Sequence, residues 1–90
     1  SIENAYLLRI VNKEDRPHVF SVRIEGAPEI VLVEAGATHA AAPEEVLTVP
    51  VTLRAPAGSV KGRADLRFVV DSDAEGVQAV EETRFFGPIP

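Results

Sequence analysis

Seven consecutive residues, Ala64-Asp65-Leu66-Arg67-Phe68-Val69-Val70, constrain the fold more than any others in the chain. Ala64, Leu66, Phe68 and Val70 fall on one side of an extended backbone and Asp65, Arg67 and Val69 on the other, the period-two pattern of a strand with one buried face. Five further segments repeat that pattern at short intervals. A sheet with one apolar face must lay it against a second layer, so the expected class is all-β, a sandwich of antiparallel strands.

Ninety residues make one small domain, which buries only about 60 to 65% of the surface its unfolded chain exposes; residues 1–90 are therefore expected to form a single unit. The apolar residues are mostly Ala, Val, Leu and Ile, with no Trp and one Tyr, so Phe20, Phe68, Phe85 and Phe86 are the only large core fillers available. The absence of cysteine removes disulfides, thiolate metal sites and cysteine nucleophiles together. A formal charge of −5 disfavours nucleic acid and anionic membrane surfaces, both of which need clustered cations. No apolar run approaches the roughly 18 to 20 residues of a membrane span, so no direct membrane insertion of this segment is expected.

Taken in order, residues 4–12 set Tyr6, Leu8 and Ile10 against Ala5, Leu7, Arg9 and Val11. Both sides are nearly apolar, so this strand is expected to be covered on both faces or to await a neighbour. Lys13-Glu14-Asp15-Arg16-Pro17 is a turn fixed by its proline, and residues 18–25 follow as a strand with Phe20, Val22 and Ile24 inward; the two are expected to form a hairpin. Residues 29–34 give a short third strand, and Thr38 to Ala42 a weak fourth strand or irregular connection, too short for a stable helix. Residues 46–54 place Leu47, Val49, Val51 and Leu53 on one face. Pro50, which has no N–H for a ladder, is expected on an edge strand or bulge. After the central strand, Asp71 to Gly76 reads as an acidic turn and residues 77–86 as the last strand. About seven strands with short turns suit an immunoglobulin-like, fibronectin-type sandwich. Leu8, Phe20, Val22, Ile24, Leu47, Val49, Val51, Leu66 and Phe68 are its expected core.

The constellations that invite chemistry are few. Asp71, Asp73, Glu75, Gly76 and Glu82 approximate the oxygen ligands of a calcium loop, but both flanks alternate as strands where that loop needs helices, and a solvated hairpin tip is the preferred reading. His18 and His39 have no chelating neighbour in sequence. Glu44-Glu45 and Glu81-Glu82 are adjacent, and neighbours in a strand point to opposite faces, so neither pair suits an acid and base flanking one bond. Ser21, Ser59 and Ser72 lack the glycines of a nucleophile elbow. No catalytic, cofactor-binding or metal-binding residue is therefore assigned. Outward apolar residues are the remaining signal: Leu7 and Val11 on the first strand, Val69 and Val80, and one of Phe85 and Phe86, which cannot both face inward from one regular strand unless a bulge buries both rings. Leu7, Val11, Phe85 and Phe86 are the candidate interface.

Ile2-Glu3-Asn4-Ala5-Tyr6-Leu7-Leu8-Arg9-Ile10-Val11-Asn12-Lys13 resembles the opening of the immunoglobulin-like C-terminal domain of the FixG/CcoG family, in its Glu-Asn-x-Tyr-x-Leu-x-x-x-Asn-Lys cadence. Gly26, the Val49-Pro50-Val51-Thr52-Leu53 run with Pro56, Phe68-Val69-Val70 and Phe85-Phe86-Gly87-Pro88 look like the same domain in the same order. The resemblance implies the C-terminal, periplasmic domain of a larger inner-membrane protein, polyferredoxin-like, that serves cbb3-type cytochrome c oxidase assembly and reduces Cu(II) to Cu(I). It implies iron-sulfur clusters in the parent and none in this domain, and as partners the parent's own membrane portion or oxidase-assembly and copper-delivery proteins. No catalytic residue of the family maps onto these positions, so the domain itself is expected to be non-enzymatic and to support or dock. The alternative is a generic fibronectin-like binding module appended to a secreted enzyme or adhesin.

Overall fold

The computed structural model describes residues 1–73 and 76–89, with Val77 described by its backbone alone. Its strands are β1 (Ile2–Val11), β2 (His18–Glu25), β3 (Val31–Leu32), β4 (Thr38–Ala41), β5 (Val46–Ala55), β6 (Arg63–Ser72) and β7 (Gly76–Phe86). They form two antiparallel sheets, one ordered β1-β5-β3 and the other β4-β2-β6-β7. The sandwich is long and narrow, 49 × 19 × 19 Å, because its ten- and eleven-residue strands lie along one axis.

The alternation read from the sequence sets the inner faces. Phe20 and Val22 of β2 and Leu66 and Phe68 of β6 pack against Leu8 and Ile10 of β1 and Val49, Val51 and Leu53 of β5, all buried. Phe68 meets Tyr6 of the opposite sheet edge-on, with ring centroids 5.2 Å apart and planes at 74°, a favoured aromatic geometry. Ala27, Ile30 and Val60, which lie in connections, close the ends of this core. Ile24 and Leu47 are only partly buried against it, which corrects two core expectations. β4 accompanies β2 only from His18 to Ser21, leaving Ile24 beyond its cover. β3 pairs only with Leu53 and Arg54, so Leu47 faces an uncovered flank.

Three other expectations change. β1 and β2 do not form a hairpin: β1 pairs with β5 along its whole length, while β2 pairs with β4 and β6 in the other sheet. The Lys13–Pro17 turn therefore crosses from layer to layer, and the buried side chain of Asn12 holds it there. Its Nδ2 donates to the carbonyls of Arg16 (2.8 Å), Ala42 (3.1 Å) and Ala41 (3.2 Å), and its Oδ1 accepts from Glu14 N (3.1 Å). Val69, read as outward and exposed, is buried. It lies between Arg23 and Val80 in a central strand, where Arg23 runs past it to bond Asp71 at 2.8 Å and also pairs with Glu25. The first strand is covered on one face only, since β1 is an edge strand and Leu7 is 72% exposed.

Pro50 lies not on the expected edge strand or bulge but in β5, the central strand of its sheet, at a position that the short β3 does not reach. Thr52 turns its carbonyl toward β3, accepting from Val33 N at 2.9 Å. Alternation points the nitrogen of Pro50 the same way, to the side where β3 has ended, so no ladder bond is lost. At the other end of the chain, Gly87 is dictated by contact: a Cβ there would come within 2.2 Å of the Val60 carbonyl oxygen. Gly26 ends β2 at φ +104°, a conformation that β-carbon-bearing residues avoid.

Candidate functional site

The four candidate interface residues do not share one surface. Leu7 and Val11 lie on the outer face of the three-stranded sheet, opposite Pro50 and Val46, and Leu7, Val11 and Val46 are all exposed there. Phe85 is fully buried, whereas Phe86, the next residue of the same strand, is 58% exposed. Phe85 is thereby removed from the interface. Among the described residues the one register shift in β7 lies at Val70/Asp71, where Gln78 is the extra residue; strand alternation runs undisturbed through the two phenylalanines and sends their rings to opposite faces.

Phe86 belongs to a seam that joins the two sheets along their β1 and β7 edges. Asn4 Nδ2 donates to the carbonyl of Phe86 (3.1 Å) while Asn4 Oδ1 accepts from Phe86 N (2.8 Å). Two residues along, the Tyr6 hydroxyl donates to the Arg84 carbonyl at 2.7 Å. Partial burial raises the Tyr6 pKa, which keeps the phenol protonated as this donor. An Asn and a Tyr at alternate positions of β1 thus imitate a neighbouring strand for the exposed edge of β7. Together with Asn12, they account for the polar letters of the Asn-x-Tyr...Asn cadence as structural groups. Inward-phase Asn4 and Asn12 were the visible sequence signal, since an amide on a core-facing position must be satisfied within the protein.

Past the seam the edges separate, and a cleft of about 320 Å³ opens between β1 and β7. Ile10, Phe20 and Val70 line its floor; Arg9, Val11, Lys13, Gln78 and Ala79 stand at its rim. At one end His18, only 5% exposed, has Asp73 Oδ1 3.2 Å from Nδ1 and Glu14 Oε1 3.3 Å from Nε2. The ring thereby ties the β1–β2 turn to the β6–β7 turn. The hydrogen bond with His18 holds the Asp73 carboxyl below the ordinary aspartate range, aided by Val19 N–H and Ser72 and opposed by partial desolvation. Ser72 Oγ donates to Asp73 Oδ1 at 3.2 Å. The serine, aspartate and histidine therefore meet, but both nitrogens of His18 face carboxylates, and general-base activation needs one of them on the hydroxyl.

The other sequence candidates are spread apart. His39, on β4, lies opposite Phe20 of β2, and Ser59 Oγ donates to the Pro56 carbonyl. Glu45 caps its own turn by accepting from Ala42 N at 2.8 Å. Glu81 and Glu82 lie opposite Phe68 and Arg67, hence on opposite faces of β7. In the acidic turn, Asp71 is engaged by Arg23 and Asp73 by His18, and both flanks are strands. Ala74 and Glu75 of that turn lie outside the described residues.

Two antiparallel sheets packed on one aliphatic core, with the chain crossing between them after its first strand, define an immunoglobulin-like β-sandwich. Residues 1–88 match the family described as "IG-like fold at C-terminal of FixG, putative oxidoreductase", and the chain belongs to that family. No curated protein and no solved structure matches it.

Proposed function

We propose that this chain is a non-catalytic domain of a membrane-anchored, polyferredoxin-like accessory protein, lying at the periplasmic face of the bacterial inner membrane and serving cbb3-type oxidase assembly and Cu(II) reduction in the parent. Its role is positional. It holds a partner, either the parent's membrane portion or an oxidase-assembly or copper-delivery protein, close to the membrane, where tethering raises the effective concentration of a second contact.

The observation that carries this reading is the division of labour among side chains. Polar groups that attract a chemical interpretation are spent on structure: Asn4 and Tyr6 on the seam, Asn12 on the crossing turn, Asp73 on His18. Leu7, Val11 and Phe86 are left at the surface. Iron-sulfur clusters do not fit these ninety residues, which contain no cysteine, and in this reading electron transfer belongs to other parts of the parent.

The test is a parent protein truncated immediately before Ile2, checked for membrane insertion and cluster absorbance, and then assayed for assembled oxidase and for copper reduction. Loss of assembled oxidase with reduction preserved is the expected result. Normal assembly without the domain would overturn the docking role, and loss of reduction despite intact clusters would assign the domain to the chemistry.

A further inference from the structure

The free edge of β1 and the cleft beside it have the form of a peptide-binding groove. Thr52 directs its backbone toward β3, so by alternation Leu47, Val49, Val51 and Leu53 direct theirs toward β1, and their partners Ile10, Leu8, Tyr6 and Asn4 complete the ladder. Asn12 N, which donates to Glu45 O at 2.9 Å, continues the same phase. The intervening residues Leu7, Arg9 and Val11 must then turn N–H and C=O away from β5. Among the described residues no strand pairs with that edge. Asn4 and Tyr6 close the gap to β7 over the first part of β1, and the cleft opens where they end.

An extended chain laid along Leu7 to Val11 would complete those backbone bonds, the mode of recognition in which main-chain pairing supplies affinity and alternate side chains supply specificity. Its residues opposite Leu8 and Ile10 would point into the cleft, toward Ile10, Phe20 and Val70, and must be apolar. Its residue opposite Arg9 would share the outer face with that guanidinium. Among the described residues Arg16, Arg23, Arg54, Arg63 and Arg67 each have an acidic ion-pair partner, whereas Arg9, Lys13, Lys61 and Arg84 have none, and of these four only Arg9 and Lys13 line the cleft. In a chain of net charge −5, two cations without ion pairs at the rim of one cleft, Arg9 on the open edge and Lys13 in the turn just beyond it, mark a place for a carboxylate.

We propose that the Leu7–Val11 edge of β1 takes up an extended segment of a partner protein in which a carboxylate, facing Arg9, is flanked by apolar residues that enter the cleft. This rests on the docking reading above and names the surface and the chemistry it would use.

The probe is the pentapeptide acetyl-Thr-Val-Glu-Val-Thr-amide, titrated into the ¹⁵N-labelled domain, with the same peptide carrying Lys at its centre as control. Saturable shifts and slowed hydrogen exchange at the Leu7, Arg9 and Val11 amides are expected with the Glu peptide, and weaker ones with the Lys peptide. Arg9→Glu should weaken the Glu peptide by roughly five- to tenfold, as exposed attraction is exchanged for repulsion. Val11→Pro removes a donor that β5 does not use, and should abolish protection at the edge while leaving the melting temperature near that of the parent. Arg9→Glu tests the proposal even if the proline variant does not fold. Absence of saturable binding, shifts confined to another surface, or equal binding of both peptides would overturn it. So would shifts at these amides that grow with protein concentration alone, which would assign the edge to a second copy. Loss of oxidase assembly on truncation combined with failure of the peptide would sink this surface and leave the docking role standing.

Discussion

Asn4 and Phe86, 82 positions apart in the chain, exchange two hydrogen bonds through the side-chain amide of one and the backbone of the other. The pairing is that of neighbouring strands in a sheet, yet the two residues belong to different sheets. It blunts part of an exposed strand edge, which otherwise invites pairing with other chains, and stops short of Leu7.

Asn4→Ala should therefore cost about 1 to 2 kcal/mol, two partly exposed hydrogen bonds at the usual net value, and should accelerate hydrogen exchange at the Phe86 amide specifically. Tyr6→Phe should cost less, about 0.5 to 1.5 kcal/mol for one bond, because the ring still packs on Phe68. Denaturant unfolding with unchanged m-value, together with amide exchange, checks both. A Phe86 amide equally protected in Asn4→Ala would mean the seam does not depend on the side chain.

The crossing turn should be more sensitive. Asn12 is 1% exposed, and its amide serves three carbonyls and one N–H. Asn12→Ala is expected to cost about 2 to 4 kcal/mol, since buried partners are left without bonds. Asn12→Asp, nearly the same shape, should be at least as damaging at neutral pH, because it turns a donor into a charged acceptor among carbonyl oxygens. Recovery of the aspartate variant relative to alanine as pH falls would follow from protonation restoring one donor. A neutral pH melting temperature for Asn12→Asp close to the parent's would contradict the assigned orientation of the amide.

The Asp73–His18 contact makes stability depend on acid. Asp73 is held below its ordinary range in the folded state, chiefly by the hydrogen bond with His18. The unfolded chain thus takes up the proton first as pH falls. The contact's stabilisation is present above the ordinary aspartate range and is lost as pH drops through the folded value. Asp73→Asn should lower the melting temperature at neutral pH by a few degrees at most, the carboxylate being half exposed. The two proteins should converge in strong acid. A difference independent of pH would indicate that packing of the turn, and not the charge, is responsible.

Much of this protein was legible in the order of its residues. Period-two alternation placed Leu66, Phe68, Phe20, Val22, Val49 and Val51 in the core, because a strand's side chains obey a local geometry that needs no knowledge of the rest of the chain. The same rule separated the faces of Phe85 and Phe86 without saying which ring was buried. Pro50 pointed to an edge strand or a bulge for an equally local reason, its missing N–H, but β5 lies between β1 and β3, and the proline is accommodated there only because β3 stops before reaching it.

What alternation does not encode is which strand lies beside which. β1 and β2 read as a hairpin, but pairing is a contest between distant partners, decided by which arrangement brings Leu8 and Ile10 over Phe20 and satisfies Asn12 at the crossing. Val69 is buried because β6 lies inside its sheet, with Arg23 and Val80 on either side of the valine, a placement that alternation along β6 does not contain. The cleft beside Arg9 exists only because two edges, separated by most of the chain, are stitched together at Asn4 and Tyr6 and part beyond them. Backbone chemistry is local and can be read residue by residue; edges, seams and the spaces between them are properties of the packed layers and come into being only when the layers meet.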